Sequence, residues 1–81
     1  MTESEIYAAL NDIFRDIFAD DSIVLAADSS AKTVKGWDSF AHIKIVVAVE
    51  SRFGIKMRTK EIETMANVGD LVRLVETKTA H

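Results

Sequence analysis

The chain has 81 residues, no Cys, no Pro, three Gly and a formal net charge of −3. That length holds one domain over residues 1–81, because a second would lack the chain to build its own core. An apolar share of 48% and a charged share of 28% belong to a globular protein and exclude disorder.

Further classes fall away on composition. Without Cys there is no disulfide framework, no thiolate nucleophile and no Cys-based metal site, and His42 and His81 are too few and too far apart for a zinc ligand set. No metal is expected. No apolar run exceeds five residues, against roughly 20 for a membrane-spanning helix. The opening Thr2-Glu3-Ser4-Glu5 lacks the positive charge of a secretory signal, so a cytoplasmic protein without membrane insertion is expected. The acidic balance argues against nucleic acid as a partner. Charge is uneven: residues 1–40 carry eight acids against three bases, and residues 41–81 carry seven bases against five acids. Such a pattern suits a solvated surface and also permits a partner chosen by charge.

In chain order, Ile6, Leu10, Ile13, Phe14 and Ile17 recur at helical spacing behind a Thr2/Glu5 capping-box pattern, which predicts a helix over 3–18. Residues 20–37 read as a long connection. Asp20-Asp21-Ser22 and Asp28-Ser29-Ser30 carry turn chemistry, and Ile23, Val24, Leu25 and Val34 are apolar anchors. A loop this long in a compact domain is often functional. Trp37, near its end, is expected to cover the junction between loop and bundle.

Over residues 38–53 two signals compete. The β-branched run 43–49 favours a strand. Phe40, Ile43 and Val47, less cleanly Val46 and Ser51, follow helical spacing, with Asp38 as a good N-cap and Gly54 where a helix C-terminus wants it. A helix is the expectation, and Phe40, Ile43 and Val47 are core candidates on it, together with Ile62 and Met65 further on. Residues 55–57 connect to a short helix through Glu61, Ile62 and Met65 that Thr59 is expected to cap. Asn67, with Asp70 three residues later, repeats the cap pattern before Val68, Leu71, Val72 and Val75, which predict a last helix over 68–77. The expected fold is all-α: a small four-helix bundle, three helices longer and one short, with a long loop between the first and second.

Three stretches stand out: Gly36-Trp37-Asp38-Ser39-Phe40, Glu50-Ser51-Arg52-Phe53-Gly54-Ile55 and Val68-Gly69-Asp70-Leu71-Val72. In them, and in their separations, the chain resembles the acyl carrier proteins. That family has Asp-Ser-Leu with 4′-phosphopantetheine on the Ser, a Phe-Gly-Ile after its second helix, and Val-Gly-Asp-Leu at its last helix. The resemblance covers nearly the whole chain and is weakest over the 20–35 loop. Asp38-Ser39-Phe40 departs from the commonest triplet by one apolar exchange.

The resemblance implies covalent 4′-phosphopantetheine on Ser39, with acyl groups carried on its thiol as thioesters. A helix start suits an attached phosphate, because free amides and the positive end of the helix dipole converge there. Asp38 is implied in recognition by a phosphopantetheinyl transferase as well as being the N-cap. The other partners implied are acyl-loading and acyl-processing enzymes, met by a monomeric carrier that catalyses nothing itself. Nothing elsewhere pairs a nucleophile with a base.

Phe40, His42 and Lys44 are the candidate partner surface. His42, three residues after Ser39, shares nearly its helix face and reads either as an exposed titrating side chain or as a contact for the phosphate or a partner. Lys44 breaks the strongly acidic second helix usual in fatty-acid carriers, which points to a dedicated carrier in a specialised lipid, polyketide or related pathway. The missing Gly-Gly-x-Ser pattern favours an acyl over an aminoacyl or peptidyl load. The competing class is a helical interaction module without prosthetic group, with Ser39 structural or phosphorylated.

Overall fold

A computed structural model describes residues 2–79; His81 lies outside the described residues. Four helices follow in order: α1 Glu3–Phe18, α2 Ser39–Phe53, α3 Thr59–Thr64 and α4 Val68–Thr79. No strand occurs among the described residues, so helical spacing overrides the β-branched propensity of 43–49. No helix among them is long and apolar enough to cross a membrane.

The capping chemistry explains most boundaries. Thr2 Oγ1 accepts from the Glu5 amide at 3.2 Å and Glu5 Oε1 accepts from the Thr2 amide at 2.8 Å, the expected reciprocal box. Asp38 Oδ1 accepts from the Ala41 amide at 2.8 Å, which caps α2. Gly54 ends α2 in the left-handed conformation, at φ 65°. Asn67 Oδ1 accepts from the Asp70 amide at 2.9 Å at the start of α4.

Two ends differ from the sequence reading. Arg58, not Thr59, is the N-cap of α3, because the Glu61 carboxylate reaches back to accept from the Arg58 amide at 2.8 Å and no hydroxyl cap is needed. Met65 is the C-cap of α3. Helix α4 continues to Thr79, two residues past the expected end, with the Thr77 and Thr79 hydroxyls donating back to the Arg73 and Val75 carbonyls.

The core gathers Ile6, Leu10 and Phe14 of α1, Ile45 and Val49 of α2, and Val68, Leu71 and Val75 of α4, all fully buried. Helix α1 packs against both α2 and α4. Ile62 and Met65 pack half-buried against this core, as expected.

Phe40, Ile43 and Val47 do not. They are 68%, 62% and 59% exposed, and α2 buries Ala41, Ile45, Val46 and Val49 instead. Two apolar sets at compatible helical spacing run along this one helix, and the one facing α1 includes small Ala41, which allows close approach. The larger side chains of the other set are left outside.

The 20–37 loop is irregular but clamped. Leu25 is buried, and its amide donates to Asn11 Oδ1 at 2.8 Å; Arg15 Nε donates to the Ile23 carbonyl at 2.8 Å. At the other side the Val68 and Gly69 amides donate to the Ser29 and Ala27 carbonyls at 2.8 and 2.9 Å. A Cβ on Gly69 would stand 3.0 Å from the Ala27 carbonyl oxygen, so a larger residue here would push the loop back by a few tenths of an ångström. Of the expected apolar anchors, Ile23 and Val34 are half-buried, whereas Val24 is 75% exposed.

Candidate functional site

The loop reaches α2 through a turn at Gly36, where φ is 92° and Phe18 packs against the open side. Trp37 follows, buried as expected and edge-on to Phe14 at 5.2 Å between ring centroids. The entry to α2 is therefore fixed to the core one residue before its cap. Asp38 then spends one carboxylate oxygen on the Ala41 amide.

Ser39 is the first residue of α2 and is exposed. Its own amide and that of Phe40 have no acceptor among the described residues, as the first amides of a helix lack intrahelical partners. An exposed hydroxyl thus stands beside two free N–H groups at the positive end of a helix 15 residues long. Beside it lies an open cavity of about 520 Å³ lined by Ala31, Trp37, Asp38, Ser39, His42 and Ile43. Hydroxyl, free donors and space together suit a covalently attached phosphoryl group and an arm leading away from it.

His42 is not an isolated surface side chain. It is half-buried, its Nδ1 accepts from Trp37 Nε1 at 3.1 Å, and the two rings lie edge to edge, 6.0 Å between centroids with 18° between planes. Spacing alone showed His42 on the Ser39 face; nothing in the sequence signalled its bond to Trp37.

The outer face of α2 continues from the site. Phe40, Ile43 and Val47 form an exposed apolar stripe, and Lys44 Nζ lies 4.7 Å from the centre of the Phe40 ring. The first turn of α2 has no acid, and the helix's single acid, Glu50, accepts from the Met57 amide at 2.8 Å. Phe40, His42 and Lys44 thus surround the start of the helix, with Ile43 and Val47 extending the apolar part.

No group of three or more His, Cys, Asp or Glu side chains among the described residues is arranged to hold a metal ion.

No family model matches the chain. Individual relatives do. An acyl carrier protein of Exiguobacterium sp. (strain ATCC BAA-1283 / AT1b) is 30% identical over 78 residues, 96% of this chain and 99% of that protein. An acyl carrier protein of Prochlorococcus marinus (strain MIT 9515) is 30% identical over 78 residues, covering 96% and 98%. Among solved structures, the solution structure of a holo acyl carrier protein from Geobacter metallireducens superposes with a TM-score of 0.86 at 43% identity, covering 91% of this chain and 85% of that one.

Proposed function

The chain belongs to the acyl carrier protein family, and from that membership we propose that Ser39 is the residue through which it carries its 4′-phosphopantetheine arm. The protein is an acyl carrier. When bound, the arm supplies the thiol that holds acyl groups as thioesters, which suits a chain with no Cys. The observation that carries the assignment is the exposed Ser39 hydroxyl beside two free amides at the start of α2. Asp38 fixes that start through the Ala41 amide and leaves its second oxygen for a phosphopantetheinyl transferase.

The single domain acts as a cytoplasmic monomer and performs no chemistry itself; acyl-loading and acyl-processing enzymes do. They meet it on the outer face of α2. Phe40, Ile43 and Val47 supply the apolar contact, with His42 and Lys44 at its edge, a pattern suited to an apolar groove whose rim is not basic. Like charges facing each other suppress a wrong partner, so a basic docking patch built for acidic carriers suits this helix poorly. A dedicated pathway with its own enzymes follows.

Intact mass after co-expression with a phosphopantetheinyl transferase tests the attachment. The wild type should gain one phosphopantetheine and Ser39→Ala none, with an unchanged far-ultraviolet circular dichroism spectrum. A wild type that stays unmodified, or a Ser39→Ala variant that still gains the arm, overturns the assignment.

A further inference from the structure

Trp37 and His42 bracket Ser39 in sequence and meet each other in space. Trp37 Nε1 donates to His42 Nδ1 at 3.1 Å, and the two rings lie 18° from parallel. An indole nitrogen is only a donor, so its partner nitrogen must be unprotonated. A His42 ring accepting at Nδ1 is therefore neutral and carries its single proton on Nε2. Trp37 is itself held edge-on against fully buried Phe14, so the core orients the indole, and the indole selects the tautomer of the imidazole.

The same ring lines the cavity that Ser39 opens into. Among the described residues around that cavity, Ala31 and Ile43 are apolar, Asp38 offers only acceptors, and the Trp37 N–H is already taken. His42 Nε2–H is the side-chain donor left beside Ser39. Residues three apart on a helix are surface neighbours, about 5–6 Å between Cβ atoms, which puts a group on Ser39 Oγ within reach of the ring. The alternative tautomer would turn an acceptor lone pair towards a phosphoryl oxygen.

Resting on the reading of Ser39 as the attachment point, we propose that Trp37 holds His42 as the Nε2–H tautomer and that this N–H binds a phosphoryl oxygen of the arm, making His42 a positioning residue for the prosthetic group. The free amides of Ser39 and Phe40 take the phosphoryl group from the helix axis, and His42 takes it from the side. Lys44 does not compete for this role, because five residues on from Ser39 it lies away from that face, over Phe40.

Nuclear magnetic resonance on the histidine-labelled apo and holo protein at about pH 8, where an unperturbed imidazole is neutral, tests both halves. Long-range proton–nitrogen spectra should show the Nε2–H tautomer of His42 in the apo protein, and Trp37→Phe, which keeps an aromatic ring but removes the donor, should mix the tautomers. The phosphorus resonance of the holo protein should shift in His42→Asn, whose amide is too short to replace Nε2. It should stay near the wild-type position in His42→Gln, whose amide nitrogen replaces it. An Nδ1–H tautomer in the wild type overturns the proposal without needing any variant. With the arm confirmed on Ser39 by mass, a phosphorus resonance indifferent to His42→Asn overturns the contact alone. An arm absent from Ser39 overturns the attachment reading and the contact together.

Discussion

Ile43 and Ile45 offer a test of the α2 orientation in which the chemistry of the change is held constant. They are two residues apart, hence about 200° apart around the helix. Ile45 is fully buried and Ile43 is 62% exposed. Truncating a buried Ile to Ala costs about 2–5 kcal/mol, the lost transfer energy plus the cavity left behind. An exposed site changes stability by only about 0.5 kcal/mol in either direction, and alanine's better helix propensity acts against any loss. A domain of 81 residues has a total stability of roughly 4–12 kcal/mol, so Ile45→Ala removes a large part of it. In urea, with a slope of about 1 kcal/mol/M for a small domain, the midpoint of Ile45→Ala should fall by about 2 M or more. That of Ile43→Ala should move by no more than about 0.5 M. Equal losses, or a larger loss at Ile43, would refute the assignment of faces. The apolar stripe would then belong to the core, and α2 would have no docking face of the kind proposed.

Asp38→Ala should lower stability by about 0.5–2 kcal/mol and slow the transferase, whereas Asp38→Asn should keep the cap and slow the transferase only; a denaturation midpoint that does not move in Asp38→Ala rejects the capping role. Gly69→Ala should destabilise by about 1 kcal/mol or more in the same urea assay, since its Cβ would meet the Ala27 carbonyl oxygen at 3.0 Å; an unchanged midpoint rejects the close contact. The Ala66 amide holds the Asp70 carboxylate below the usual carboxylate range, so its contribution is present above the unfolded-state value and is lost as pH falls below about 4; Asp70→Asn should flatten that part of a stability–pH profile. Lys44→Glu in the holo protein should raise the loading rate by a housekeeping malonyl transferase, more at low salt than at high salt. A wild type that already loads as well as a fatty-acid carrier rejects the dedicated-pathway reading.

Where a single residue or a short pattern determines an element, the sequence was enough. The Thr2/Glu5 box and the Ile6–Leu10–Phe14 spacing mark α1 because caps and stripes are local properties. Asp38 before Ser39, and Gly54 after Phe53, mark both ends of α2 for the same reason. Which face of α2 turns inward was not legible, because both faces are apolar. Phe40, Ile43 and Val47 form one stripe and Ala41, Ile45 and Val49 the other, and only packing against α1 decides between them. Hydrophobic size misleads here: the bulkier stripe is the exposed one, as a protein-binding face and not a core can require. The place of Ser39 as the first residue of α2 was legible from the Asp38 cap before it. The Trp37–His42 bond was not, since it joins a loop side chain to a helix side chain through a turn whose shape depends on Gly36 and Phe18.

A carrier has to hold one end of its arm firmly while leaving the other free, and the long loop accounts for the firm end. An irregular connection of this length would ordinarily let the start of α2 wander. Here the Leu25 amide is bonded to Asn11 of α1, and the Ala27 and Ser29 carbonyls are bonded to the first amides of α4. The loop therefore ties together the two helices that flank the core before it delivers Trp37 onto Phe14. Ser39 stands two residues beyond that anchor, on a capped helix, and its neighbours on the outer side are apolar side chains held by the rigid α2 backbone. In the function proposed above, attachment point and docking face share one rigid element. A partner that gripped Phe40, Ile43 and Val47 would then fix the origin of the arm in the same act, leaving only the arm itself to search for the active site.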